Sequence, residues 1–350
     1  MIFQMPVIKI KNYRWIIVVL LFFATTINYI DRQIIGLLKP ILEAEFNWSE
    51  TDFAHIVMAF TAAYAIGLLV IGRLIDKLGT RLGYSLIICA WSIAGMLHAV
   101  SRSALHFALA RFGLGLGESG NFPAGVKAIS EWFPKKERAL ATGIFNSGTS
   151  IGVVLALLIV PWILKYYNWH EVFLITGAVG FIWLIFWLLL YDIPSRQKRL
   201  TAEEYEYIIS DTRNEAKGRD NDNKTKIKWS RLFTFPQTWA LITGKGLIDP
   251  IFWFFLFWLP SYFSSAYEID LTKPSIELII IYTSTTIGSI LGGYFSSFLI
   301  MKGWPVIKAR KTALFIFAVL ELSIILAQYT TAAWMAVGII SLAVAVHQAW

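Results

Sequence analysis

The stretch WIIVVLLFFATTINYIDRQIIGL, residues 15–37, decides how the rest of the chain is read. It is long enough to cross the hydrocarbon core of a bilayer, which takes about 20 apolar residues, and it carries charge only at Asp31 and Arg32. No small-residue cleavage site closes it and further apolar runs follow, so it reads as a spanning helix and not a removable leader. At about 1.5 Å per residue, Asp31 and Arg32 lie about 24 Å into the run, in the outer half of the bilayer. A charge at the bilayer centre costs at least about 2.5–3.5 kcal/mol, so this pair signals a function or a fixed partner.

The whole chain fits that opening. Of 350 residues, 57% are hydrophobic and 15% charged, against about 25% charged in soluble globules. The 15 Trp, 14 Tyr and 25 Phe suit apolar bundles and headgroup interfaces. One cysteine, Cys89, excludes an internal disulfide and gives no metal or redox signature. The net charge of +8 could mark a nucleic-acid binder, but the basic residues fall between the apolar runs.

Ten helices are expected, near 15–37, 53–73, 82–101, 104–131, 140–162, 172–191, 238–260, 276–299, 312–329 and 332–350. Between the sixth and seventh, 192–236 is rich in Lys, Arg, Asp, Glu and Asn and reads as a solvated linker containing one helix-forming run, 201–216. The expected organisation is a six-helix bundle at 1–191, a linker at 192–237 and an incomplete bundle at 238–350. The final run ends at Trp350 with no polar tail, and six helices followed by four would leave an unpaired face. A C-terminally truncated chain, lacking about two helices of a twelve-helix arrangement, is therefore expected. Lys and Arg on alternate loops orient the chain. The side holding the N-terminal tail and the linker carries 23, while the other carries Lys39, Arg102, Lys165 and Lys273. The N-terminus and linker are thus expected to be cytoplasmic.

Several patterns have bland explanations. Gly115, Gly117 and Gly120 spell GxGxxG, but a dinucleotide fingerprint needs a preceding strand, and Gly113 with Gly117 suits close helix packing instead. Gly148, Ser150 and Gly152 spell GxSxG without the sheet that a nucleophile elbow requires. The Asn47-Trp48-Ser49 sequon matters only in a secretory pathway.

The segment from Gly72 to Arg81 is more specific. Glycines Gly72 and Gly79 allow a tight turn, Asp76 can pair with a cation or cap a helix, and Arg73, Lys77 and Arg81 anchor one membrane face. It reads as a conformational latch or as a plain basic loop, and it resembles the cytoplasmic loop of the major facilitator superfamily. After the eighth run, 292–311 keeps glycines and basic residues but has Ser296 and Ser297 where an acid is expected.

Charges at membrane depth carry the chemistry. In the fourth run Arg111 and Glu118 are seven apart and share a face, at depths of about 10 and 21 Å. Arg111 is then near the level of Asp31, and Glu118 is deeper. An arginine can hold a substrate carboxylate through two parallel contacts, while Asp31 and Glu118 can exchange protons. The alternative is a closed charge network locking the first and fourth helices together. Tyr29, Tyr64 and Asn121 nearby offer sugar-like contacts. Asn146 and Thr149 share a face of the fifth helix and could line a cavity. Lys245 and Asp249 are i,i+4 on the seventh, before Pro250; Lys245 either supplies a second cation or neutralises Asp249. Glu321 has no visible partner, and His347 and Gln348 are left without a role.

With these residues in view, Asn28 to Arg32, Gly115 to Glu118, Asn121 to Pro123 and Glu131 to Ala139 resemble the anion:cation symporter family of the major facilitator superfamily, and most of all its bacterial hexuronate transporters. The resemblance implies a two-bundle helical membrane fold, no enzymatic activity, no cofactor, and proton-coupled import of a sugar acid across a bacterial inner membrane. It assigns Tyr29, Arg32, Tyr64 and Lys245 to the substrate cavity and Asp31 and Glu118 to proton coupling, with Arg111 beside them. A monomer working with a sugar acid, protons and lipid, and not nucleic acid, is expected. The alternatives are a non-transporting membrane sensor and an inactive fragment.

Overall fold

A computed structural model describes residues 9–218 and 229–349. The helices are α1 Tyr13–Phe46, α2 Glu50–Leu78, α3 Thr80–Leu97, α4 Ala104–Glu118, α5 Asn121–Trp132, α6 Lys135–Tyr166, α7 Trp169–Leu190, α8 Ala202–Gly218, α9 Trp229–Leu232, α10 Pro236–Phe257, α11 Leu259–Tyr267, α12 Ile276–Met301, α13 Val306–Glu321 and α14 Ala333–Ala349. Short 3₁₀ turns follow α3 and α13. Among the described residues no β-sheet occurs, and the one β-bridge pairs Ile10 with Leu200.

Eight helices are long and apolar enough to cross a membrane. The α4–α5 pair and α14 occupy the other two expected runs, so the all-helical membrane architecture matches the expectation. Boundaries differ where hydropathy is a poor guide. The first helix runs on through Lys39 and Pro40 to Phe46, because Leu38, Lys39 and Leu42 are buried. The second starts at Glu50, where Ser49 and Asp52 form a reciprocal capping box. The expected fourth helix is interrupted at Ser119 and Gly120, where the Gly120 N–H reaches back only three residues, to the Gly117 carbonyl (3.2 Å). Both residues keep right-handed helical dihedrals, so the axis tightens there without turning away.

Contacts divide the chain into two units. The first gathers Met1–Arg32, Ile41–Gly152 and Tyr167–Asp222, and the second Gln33–Pro40, Val153–Tyr166 and Asn223–Trp350.

Glycine sets the spacing of the first unit. A Cβ on Gly117 would stand 2.7 Å from the Trp91 Cβ, and one on Gly148 2.6 Å from the Phe22 carbonyl oxygen. Gly152 likewise abuts Thr26 and Tyr29. The GxGxxG and GxSxG patterns therefore let helices approach closely.

At one end of this unit the loops interlock. Gly79, at φ 79°, supplies the left-handed residue between α2 and α3. Asp76 pairs with Lys127 of α5 (2.8 Å), and Arg81 with Asp192 (3.2 Å). Glu131 accepts hydrogen bonds from Thr80 (2.7 Å) and Tyr191 (2.6 Å). Burial, with Glu131 beside it, holds the Tyr191 hydroxyl well above its ordinary titration range. Within 192–236, α8 is less solvated than the composition of the segment suggests. Glu204 of α8 is buried and accepts from the Tyr13 and Arg14 N–H groups (2.8 and 3.2 Å) and from the Arg14 guanidinium (2.8 Å). It thus caps α1, whose own cap residue Asn12 makes no side-chain cap bond. Arg14 also binds Glu137 (2.9 Å), which accepts from Tyr207 (2.7 Å).

In the second unit α12 packs along α14, with Gly288 and Gly292 against the Ala345 and Ala349 backbone. Gln33–Pro40 of α1 belongs to this unit: Gln33 donates to Tyr282 (3.3 Å) and Lys39 to Ser261 (3.1 Å).

Two outcomes follow. Gly117→Val should destabilise the protein by about 1–3 kcal/mol through overpacking against Trp91, whereas Gly143→Ala, with open space around it, should stay within about 0.5 kcal/mol; thermal unfolding in detergent compares them. Glu204→Ala should release the first turn of α1, with a loss of about 0.5–2 kcal/mol and faster amide exchange at Tyr13 and Arg14.

Candidate functional site

The deep charges of the first unit meet around Arg32. Its Nε and Nη2 both reach Oε2 of Glu118, at 2.9 and 2.8 Å, and Nη2 also donates to Oδ1 of Asn28 at 3.2 Å. Tyr29 and Tyr64 lie 4.6 and 4.8 Å from the guanidinium carbon and Phe60 5.3 Å, so three aromatic rings enclose the cation. The Arg111 guanidinium also lies over Phe60, 5.5 Å from the ring centroid, and donates to the Arg32 carbonyl at 3.5 Å. Arg32, Arg111 and Glu118 are all within 1% of complete burial.

Local sequence explains this convergence. Asn28 and Arg32 are i,i+4 on α1, and Arg111, Leu114 and Glu118 follow one buried face of α4. Gly115 and Gly117 bring that face against α2 and α3. Phe60 and Tyr64, stacked at 6.0 Å, are again one turn apart on α2.

Asp31, 3% exposed, is in electrostatic reach of Glu118 and Arg111. Both of its carboxyl oxygens are buried and accept no hydrogen bond among the described residues. Thr176 of α7 stands beside it and donates its own hydroxyl to the Val172 carbonyl at 3.0 Å. Oε1 of Glu118 is likewise buried and without a hydrogen bond, as is Nδ2 of Asn28.

The remaining expected residues fall into place less uniformly. Asn121 is fully buried, but its oxygen accepts from Tyr84 (2.5 Å) and its nitrogen donates to Thr25 (3.1 Å). Through these two bonds its amide joins α1, α3 and α5. Asn146 is exposed and Thr149 half-buried, on the α6 turn beside Gly148 and Gly152, which meet α1. In the second unit, Lys245 and Asp249 form an ion pair at 2.7 Å with the lysine side chain 65% exposed, and α10 continues through Pro250 to Phe257. The latch residues Asp76 and Arg81 are engaged as described above, while Lys77 is exposed and Gly72 half-buried.

Sequence reading missed Asn28, Phe60 and Thr176. Asn28 was within reach of it, one helical turn from Arg32; Phe60 and Thr176 lie on other helices and have no pattern that singles them out. Glu321 and His347, unpaired on the sequence, meet at 2.6 Å. Among the described residues, no three His, Cys, Asp or Glu side chains are grouped so as to hold a metal ion.

Known proteins bear on this arrangement. A galacturonate transporter of Dickeya chrysanthemi is 35% identical over 286 residues, spanning 82% of each chain. A hexuronate transporter of Escherichia coli K12 is also 35% identical over 286 residues, 82% of this chain and 66% of the relative. A bacterial homologue of the human lysosomal transporter Spinster, solved inward-facing and unoccupied, superimposes with a TM-score of 0.73 at 21% identity, over 97% of this chain and 74% of that one. The partially occluded inward-open xylose transporter XylE of E. coli gives 0.66 at 15% identity, over 97% and 82%. These relatives are transporters, and the chain is one of their kind and not an enzyme. The Major Facilitator Superfamily profile matches residues 21–349, and the chain belongs to that family.

Proposed function

We propose that the chain is a secondary active transporter that carries a hexuronate or related sugar-acid anion together with a proton, by alternating access. The observation that carries this reading is the Arg32–Glu118 pair, at 2.8 Å, enclosed by Tyr29 and Tyr64 at membrane depth. The names of the galacturonate and hexuronate relatives support the substrate class.

The chemistry follows from competition for one cation. A guanidinium suits a carboxylate through two parallel hydrogen bonds. When a sugar acid enters, its carboxylate takes the place of Glu118 on Arg32. Glu118, displaced in an apolar setting, then carries a proton on the oxygen that is unoccupied here. Asp31 is the second carrier: in its protonated form it has Thr176 as an acceptor, because the Thr176 hydroxyl proton is already given to Val172. Arg111, near both acids, keeps the cluster balanced as protons arrive and leave. Tyr29, Tyr64, Asn146 and Thr149 contribute hydroxyl and amide contacts to the sugar, and Lys245 offers a second cation once Asp249 releases it. Asn121 holds the helices from which these groups project.

Alternating access uses a bundle at 1–191, a linker at 192–237 and a bundle at 238–350. In this reading Gly72, Asp76, Lys77, Gly79 and Arg81 form a latch whose Asp76–Lys127 contact fastens α2 to α5 in one conformation. The chain acts as a monomer in a bacterial inner membrane with its N-terminus and linker cytoplasmic, as the basic loops favour.

Uptake of radiolabelled galacturonate or glucuronate into vesicles under an imposed pH gradient tests the reading. Arg32→Ala and Arg32→Lys should both lower uptake by more than about tenfold, since a charged contact of about 1.5–3 kcal/mol and its planar fork are lost. Glu118→Gln should abolish accumulation driven by the pH gradient while substrate exchange persists. Uptake indifferent to the gradient in the unaltered protein would refute proton coupling.

A further inference from the structure

We propose that Glu321 and His347 form a second proton-binding site, in the second unit, separate from the acids around Arg32. His347 Nδ1 lies 2.6 Å from Glu321 Oε1, and the side chains are only 6% and 12% exposed. The proton between them belongs to the pair as a unit. Glu321 closes α13, and His347 sits near the end of α14, so the contact ties these neighbouring helices together. Phe252 of α10 lies parallel to the imidazole at 6.3 Å and Phe255 meets it edge-on at 5.9 Å, which shields the pair and suits a cationic ring.

Other ionisable groups on the packed elements are engaged or distant. On α12, Glu277 accepts from Ser275 (2.9 Å), Tyr282 donates to the Phe255 carbonyl (2.6 Å), and Tyr294 is exposed. On α10, Lys245 and Asp249 hold each other. On α13, Lys308 lies over Trp304, and Arg310 and Lys311 are exposed about 15 Å or more along the helix from Glu321. Tyr329, in the 3₁₀ turn after α13, is exposed. The acid and base thus answer mainly to each other.

The site's ligand is the proton. With one proton shared, the pair is neutral; a second converts it to imidazolium beside carboxylic acid, removes the ionic attraction and loosens α13 from α14. Loss of the shared proton leaves a bare carboxylate against neutral imidazole and weakens the same contact. This device needs no substrate and does not depend on the role proposed for Arg32.

Nitrogen-15 NMR of the histidine-labelled full chain, titrated in detergent without substrate, tests it. Five histidines are present, and His347→Gln assigns the signal. In Glu321→Gln the His347 signal should change its response to pH, because the carboxyl group that shares a proton with it is gone. Should that variant fail to fold, Glu321→Asp, which withdraws the carboxyl by one methylene, should change it by less. The change should persist in an Asp31→Asn/Glu118→Gln background. A His347 transition unchanged by either Glu321 variant, or a change that disappears in that background, overturns the proposal. If the unaltered protein shows no pH-driven uptake while the Glu321 variants still shift His347, the transport reading fails and this site stands.

Discussion

The structure of the first unit depends on one ion pair placed where ions are costly. Arg32 and Glu118 are buried almost completely, and removing two charges from water is offset only when geometry is good and the remaining polar atoms are satisfied. Here the geometry is good on one side alone. Two guanidinium nitrogens converge on one oxygen of Glu118, while the other oxygen has no hydrogen bond. Among the described residues this asymmetry leaves one buried carboxylate oxygen without a partner, and the proposed transport reading places a proton there.

That pair constrains its surroundings. For α4 to present Arg111 and Glu118 toward α1, its small-residue edge must lie against α2 and α3, which is why Gly115 and Gly117 meet Phe60 and Trp91. For α1 to hold Arg32 at depth, its start must be fixed, and Glu204 of α8 does so by accepting its first N–H groups. The α5–α6 turn joins in through Glu131 and Glu137, each bonded to residues far away in sequence. In this way α8, within a segment that reads as linker, is fastened to the bundle that it follows.

Legibility in the sequence tracked the range of the interaction involved. The spans were plain because each needs only a run of apolar residues. The Arg111–Glu118 face followed from helical periodicity, and the deep charges from their cost. By contrast, nothing in the string EYEY marks Glu204 as the cap of a helix nearly two hundred residues earlier. Nor does any local pattern show that Tyr84 and Thr25 engage the two ends of the Asn121 amide.

The sequence alone therefore determined the solvent of this protein, the number of its apolar runs and the presence of charge inside them, since these depend on composition and on a helix's rise and period. Pairing was decided only by the tertiary structure. Glu321 and His347 are 26 residues apart on different helices, and no periodicity links them. From the sequence, Arg32 could pair with an acid of its own helix or with one of the fourth run. Which partner it took was fixed by how closely glycines let α4 approach, a matter of ångströms that no one-dimensional pattern encodes.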